Sequence, residues 1–425
     1  MGHVIVVDLG YGDAGKGTVV DWLCAQGPEP VHTVVRFNGG AQAGHNVVAA
    51  DGRHHTFAQF GSGTFTPGVR THLSRFMLVD PLALATEAEH LRTVGVADAL
   101  DRLTVDHRAF LTTPYHRAAN REREMARGAA RHGSCGMGIG ETVAYSLSYA
   151  DAPRVGDCLS PAGLRRALTS LHDWYRDQFP DGAPVPAVEA CVHAFTAFAE
   201  RVRIVTDEHL HRLLRTRNVV FEGAQGVLLD EWQGFHPYTT WSTTTFENAE
   251  ALLDEAGLGP KAAYRLGVLR TYATRHGPGP FVTEDPALTA DLPDRHNGTG
   301  RWQGTFRVGH LDAVALRYAL DVTGEVDGLA LTHLDVAEAR DDLGLCIAYE
   351  GMERIPTGSK GDLDAQAALT EGLLKARPVY TRLGDPVAAV EDTFRTPVVL
   401  RSYGPGTASK RHTPALSART PWDTN

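Results

Sequence analysis

Apolar residues run unbroken at residues 4–7, and short runs rich in valine and leucine recur at 33–36, 219–222, 328–332 and 397–402. Runs this short, most of them leading into glycine turns, predict strands buried on both faces. Between them, residues 19–23, 161–179 and 188–215 carry apolar side chains at helical spacing. The His, Trp and Tyr of the last two stretches fall into that spacing and read as packing rather than chemistry. Strands alternating with helices predict an α/β fold, a large, mostly parallel central sheet flanked by helices, with ligands gathered at the carboxyl ends of the strands. The acid-rich stretches 338–343 and 361–367 predict solvated loops or helix ends. No repeat, low-complexity segment or Pro/Ser-rich linker divides the chain, so a single catalytic domain over 1–425 is expected.

Composition narrows the function. A net charge of −10 argues against a nucleic-acid backbone as partner, so any nucleotide is held locally. The five cysteines are scattered and odd in number, which disfavours a disulfide framework or zinc site and fits a reducing cytoplasm. No apolar run is long enough to span a bilayer, so no membrane partner is expected.

The chemistry begins at Leu9-Gly10-Tyr11-Gly12-Asp13-Ala14-Gly15-Lys16-Gly17-Thr18, between the first strand and the first helix. The spacing G-x4-G-K lets backbone N–H groups wrap an anion and aims a helix N-terminus and a lysine at it. Gly17 stands where a P-loop normally offers a hydroxyl to magnesium. Asp13 places a carboxylate inside a loop built for negative charge, which is costly unless it binds a metal or takes a proton, so Asp13 is a candidate base or magnesium ligand. A glycine loop with one lysine is often only a tight connection, and one histidine among twenty usually packs; here the combination outweighs its members.

This loop resembles the G-D-E-G-K-G signature of adenylosuccinate synthetases. The resemblance continues in Arg36-Phe37-Asn38-Gly39-Gly40-Ala41-Gln42-Ala43-Gly44-His45, in Phe221-Glu222-Gly223-Ala224-Gln225-Gly226-Val227-Leu228-Leu229-Asp230, and in Tyr272-Ala273-Thr274-Arg275-His276-Gly277-Pro278-Gly279-Pro280-Phe281. Five or more motifs in family order, from residue 4 to about 407, set chance similarity aside. The resemblance implies a P-loop-like nucleotide-binding architecture of that family's type. It also implies a ligase, a cytoplasmic homodimer acting in purine biosynthesis. GTP would phosphorylate the 6-oxo group of a purine nucleotide, IMP foremost, and L-aspartate would displace the phosphate to give adenylosuccinate. Asp13 then corresponds to the base at N1, His45 to the acid at the transferring phosphoryl group, and Gln225 to the amide that reads the purine near N1 and O6. Mg2+ falls to Asp13 and the Gly44 carbonyl. The donor nucleotide falls to Gly12, Gly15, Lys16, Gly17, His333, Asp335, Ser402 and Gly404. The acceptor falls to Asn38, Gln42, Ser134, Cys135, Gln225, Thr240 and Thr244, and aspartate to Thr299, Arg301 and Arg307.

The departures from the family cluster on the acceptor and aspartate sites. Cys135 stands in the phosphate loop 133–140 for a threonine, Gln42 stands for an asparagine, and residues 145–151 lack the arginine that in the family crosses a dimer interface. Trp241 and Phe246 add bulk around the Thr243–Thr245 hydroxyl run. Residues 299–309 carry two arginines where the family has four, and their W-Q-G-x-F-R pattern resembles the phage branch that makes a 2-aminoadenine precursor from dGMP. That branch alters the base aspartate, which this chain keeps. At the donor base, His333 replaces a lysine whose stem covers the guanine, and a histidine ring can stack there instead. These differences leave a second reading open, a paralogue using (d)GMP or the nucleotide of a purine-like antibiotic, with ATP in place of GTP. A third class, a non-catalytic nucleotide-binding protein, is expected to lose Asp13, His45 or Lys16, and all three are present.

Overall fold

In a computed structural model, residues 2–128, 131–292, 300 and 302–413 are described. The runs read as strands become neighbours in a ten-stranded sheet. Its order is Lys410–His412, Val398–Ser402, Gly328–Thr332, Ala263–Arg270, His3–Asp8, Val219–Glu222, Thr33–Arg36, Arg70–Leu73, Leu103–Asp106, Arg203–Val205. Every pairing is parallel except that of the first two, which is antiparallel. Parallel strands need both faces covered, and the burial shows it: Val4, Ile5, Val6 and Val7 are each 2% exposed or less. Burying each such side chain contributes about 1.5–3 kcal/mol.

The strand His3–Asp8 lies between Val219–Glu222 on one side and Ala263–Arg270 on the other. The glycine loop after Asp8, the loop after Glu222 and the segment after Arg270 therefore emerge side by side at one sheet edge, where ligands of α/β sheets collect.

The helix Lys16–Gln26 begins after Gly15, whose φ of 96° turns the chain without a side-chain cap, so its first N–H groups face outward. The sequence pattern reads as amphipathic, but Val19, Val20, Asp21, Trp22 and Leu23 are all buried, because sheet and outer elements close on the helix from several sides. Residues 161–179 fold as the expected helix, Pro161–Gln178, capped by Ser160 and burying Leu164, Leu168, Leu171 and Tyr175. Residues 188–215 do not form one helix. The β-branched run around Val202, Ile204 and Val205 leaves the helix Val188–Arg201, joins the sheet edge as Arg203–Val205, and a second helix starts at Asp207. The acid-rich stretches lie, as expected, at a helix end and at the turn into the helix Leu363–Leu373.

Candidate active site

A cleft of about 1470 Å³ opens along the carboxyl ends of the central strands. Gly12, Asp13, Gly15, Lys16, Gly17, Gln42, Gly44, His45, Ser134, Cys135, Gln225, Thr240, His333, Asp335, Ser402 and Gly404 all line it. Residues from seven separate stretches of the chain, from Gly12 to Gly404, thus line one cleft.

The glycine loop is braced by Asp8, which the sequence reading passed over. Its carboxylate, buried at the end of the first strand, accepts the backbone N–H groups of Gly10 (2.9 Å), Gly12 (3.3 Å) and Ala14 (2.8 Å), and the Lys16 ammonium at 3.0 Å. Lys16 also donates to the Gln225 carbonyl at 2.7 Å, tying the phosphate loop to the 223–226 loop. The two loops touch backbone to backbone: a Cβ on Gly226 would lie 2.2 Å from the Gly10 carbonyl oxygen. Gly17 is equally constrained. A Cβ there would sit 2.8 Å from the Cβ of His45, so the hydroxyl residue of an ordinary P-loop is excluded by the approach of the strand His45–Val48.

Asp13 projects from a left-handed backbone position (φ 59°), and His276 Nε2 donates to its Oδ2 at 3.1 Å. Burial pushes this carboxyl up, but the hydrogen bond and charge of His276, backed by Lys16 and Arg270, outweigh it and hold it below the ordinary value. Asp13 is therefore ionised at neutral pH, as a base requires. Arg270 holds the Asp13 carbonyl at 3.2 Å.

His45 Nδ1 donates to Glu222 Oε1 at 2.6 Å, which fixes the ring and leaves Nε2 for the cleft. Glu222 is fully buried. It also accepts the N–H of Ser62 at 2.9 Å and the Ser62 hydroxyl. Burial pushes Glu222 up, but His45 and Arg36 overcome it and bring it to about 2. Burial lowers His45 against the pull of Glu222, so the free protein keeps a neutral imidazole beside an ionised carboxylate. Glu222 stands inside one of the motifs without a role assigned there; an acid ending an otherwise apolar strand is the one signal that could have found it.

Two amides await partners. Both polar atoms of the Gln42 side chain and Gln225 Oε1 are buried without a hydrogen-bond partner, although such groups are nearly always satisfied. Both residues line the cleft, so a ligand with donors and acceptors on one edge is the partner they fit. Nearby, the Ser134 hydroxyl donates to Asn120 at 2.9 Å, and burial raises the Cys135 thiol. At the other end, burial lowers His333 well below its usual value. Its ring meets Tyr272 edge to face at 5.5 Å.

Other expected site residues are engaged elsewhere. Asn38 exchanges two hydrogen bonds with the backbone of Ala224 (3.0 and 2.7 Å), and Thr244 bonds the Gly226 carbonyl and Asp230, so both hold loops together. Phe246 joins the core, while Trp241 faces the cleft. Arg307 donates to Glu284 at 2.6 Å and to the Gly279 carbonyl at 3.1 Å. Thr299 and Arg301 lie outside the described residues. Arg275, which the reading left without a role, is buried over the Tyr11 ring at 4.3 Å and holds the carbonyls of Pro278 and Pro280.

A glycine loop carrying an ionised carboxylate, in one cleft with a carboxylate-braced histidine, is suited to proton removal coupled to phosphoryl transfer. Comparison with known proteins agrees. A model of the adenylosuccinate synthetase family matches residues 5–406. The adenylosuccinate synthetase of Paraburkholderia phymatum is 32% identical over 427 residues, covering 94% of this chain and 90% of that protein. That of Burkholderia mallei is 33% identical over 430 residues with the same coverage. Among solved structures, fully ligated adenylosuccinate synthetase from Plasmodium falciparum superposes with a TM-score of 0.82 at 23% identity, covering 97% of this chain and 100% of that one. Cyanophage S-2L succinoaminodeoxyadenylate synthetase, bound to dGMP and to dATP as an energy donor, gives 0.63 at 21%, covering 97% and 95%. At those identities the superpositions speak for the fold, whereas the family match and the curated relatives extend over nearly the whole sequence, and on that ground the chain belongs to the adenylosuccinate synthetase family and is a ligase.

Proposed function

We propose that the protein joins L-aspartate to C6 of a 6-oxopurine nucleotide, with IMP as acceptor and GTP as donor, through a 6-phosphoryl intermediate. The observation that carries this reading is the meeting, in one cleft, of ionised Asp13 with the His45–Glu222 pair. Asp13 takes the proton from N1, and O6 becomes nucleophilic. Lys16 and the loop N–H groups hold the donor phosphates. The negative charge of the bound donor phosphates favours uptake of a proton from solvent at His45 Nε2, which then donates a hydrogen bond to the transferring phosphoryl group, and Glu222 stabilises the imidazolium through Nδ1–H. The unpartnered amides of Gln225 and Gln42 face the purine edge.

Mg2+ is commonly bound by one or two carboxylates together with substrate phosphates, and the chemistry of an ionised carboxylate in the glycine loop suits it. Asp13 and the Gly44 carbonyl, both on the cleft wall, would hold it. When bound, it neutralises charge on the donor phosphates. Arg307 already grips a carboxylate, that of Glu284, so binding aspartate there requires Glu284 to give way.

A second acceptor is favoured by one set of observations: the departures fall on the acceptor wall, at Gln42, Cys135 and Trp241, while the phosphoryl-transfer residues persist. The deciding experiment is a panel of IMP, GMP and dGMP with aspartate and either GTP or ATP, read by phosphate release and product mass. IMP with GTP is expected to lead. An aspartate adduct formed from GMP or dGMP and not from IMP would replace this acceptor assignment.

A further inference from the structure

Two segments far apart in the sequence, one at Thr18 and one at residues 402–410, meet at the end of the cleft assigned to the donor nucleotide. Lys410 lies directly across from Ser402 in the antiparallel pair, and 7% of it is exposed. Its ammonium donates to the Gly406 carbonyl at 3.0 Å and stands 3.4 and 3.5 Å from those of Pro405 and Gly404. It also donates to the Thr18 hydroxyl, which itself donates to the Pro405 carbonyl at 2.6 Å. Thr18 belongs to the helix that begins at Lys16, and Thr18, Ser402, Gly404 and Pro405 all line the cleft.

Keeping an ammonium here is costly. Burial brings Lys410 down to about 8 against the pull of Asp21, a carboxylate on the same helix as Thr18. An apolar side chain of similar length would fill the space without that cost, so bulk does not account for a lysine. What the charge accomplishes is a link: it joins a turn at the donor-base end to the helix at the phosphate end. The family match ends at residue 406, before Lys410.

We propose that Lys410 is a positioning residue for the donor nucleotide, fastening the turn 402–406 to Thr18 and so setting the span between the base site and the phosphate loop. This rests on the assignment of that end of the cleft to the donor. Lys410→Met keeps the stem and removes the donors. Equilibrium titration with GTP and with ATP, without acceptor or aspartate, reads the clamp apart from the chemistry. The Kd of the preferred donor should rise about tenfold or more, and the GTP-to-ATP preference should shrink. The KM values for acceptor and aspartate should stay within about twofold. Thr18→Val should weaken the donor in the same sense, and the double variant should lose less than the product of the two. Wild-type donor binding and preference in Lys410→Met would overturn the proposal. So would an equal loss for all three substrates, which marks a general support of the fold. Failure of the unmodified protein to bind either GTP or ATP overturns the donor assignment itself, and the proposal with it.

Discussion

Asp13 combines two features that rarely coincide, a left-handed backbone position and a carboxylate held ionised, against its burial, by His276, Lys16 and Arg270. The φ of 59° turns the side chain out of the loop and toward His276. Asp13→Asn keeps the shape and cannot accept a proton. It should abolish turnover while nucleotide binding persists; more than about a tenth of the wild-type kcat, equivalent to about 1.4 kcal/mol in the barrier, would remove Asp13 from the role of base. The histidine opposite depends on its buried carboxylate in a comparable way. Glu222→Gln retains a hydrogen-bond acceptor but no longer stabilises an imidazolium, so kcat should drop by about a hundredfold. Positional isotope exchange in the donor, measured without aspartate, should slow in parallel. Unchanged exchange would place the His45–Glu222 pair outside phosphoryl transfer.

At the scale of elements, the helix Lys16–Gln26 decides how the site is assembled, because the strand His45–Val48 packs on its first turn at Gly17. Gly17→Ala adds one methyl group 2.8 Å from the His45 Cβ, and the strand has to retreat. An overpacked contact of this kind costs about 1–3 kcal/mol. A small displacement of a reacting group costs up to about a hundredfold in rate. The variant should therefore fold, with a circular dichroism spectrum like the wild type, and lose most of its kcat. The same helix buries Asp21, whose carboxyl is raised by burial from 3.8 to about 7. A carboxyl with a raised folded-state value binds its proton more tightly when folded, so stability declines as pH rises between those two values. Asp21→Asn removes that contribution, and the fall in Tm between pH 4 and 7 should be smaller in the variant. Equal falls in the two proteins would show that Asp21 titrates normally.

On the scale of the whole molecule, the cleft is bordered by apolar side chains in solvent: Leu147 is 74% exposed and Trp241 42%. The homodimer expected from the family resemblance would cover them and bring a group from the partner subunit to the site whose own residues 145–151 carry no arginine. Sedimentation should give a dimer, and Leu147→Asp should shift it toward monomer and raise the KM of the acceptor. A monomeric wild type with full activity would refute this. Much of the architecture was legible in the chain itself. Short apolar runs closed by glycine turns and alternating with helices fit a parallel sheet covered on both faces, and the motifs at their ends carried the family and the candidates Asp13, Lys16, His45 and Gln225, which all line one cleft. Where spacing was the only guide, at residues 188–215, the β-branched run joined a neighbouring strand that no local pattern could announce. Tertiary structure alone decided the rest. It set Asp8 under the phosphate loop, Glu222 behind His45, His276 against Asp13 and Lys410 across from Thr18. It also gave Asn38 and Thr244 to loop packing. The physical reason is common to all of these. A buried charge or amide must find its partner within about 3 Å, and sheet order, not distance along the chain, determines which residues come that close.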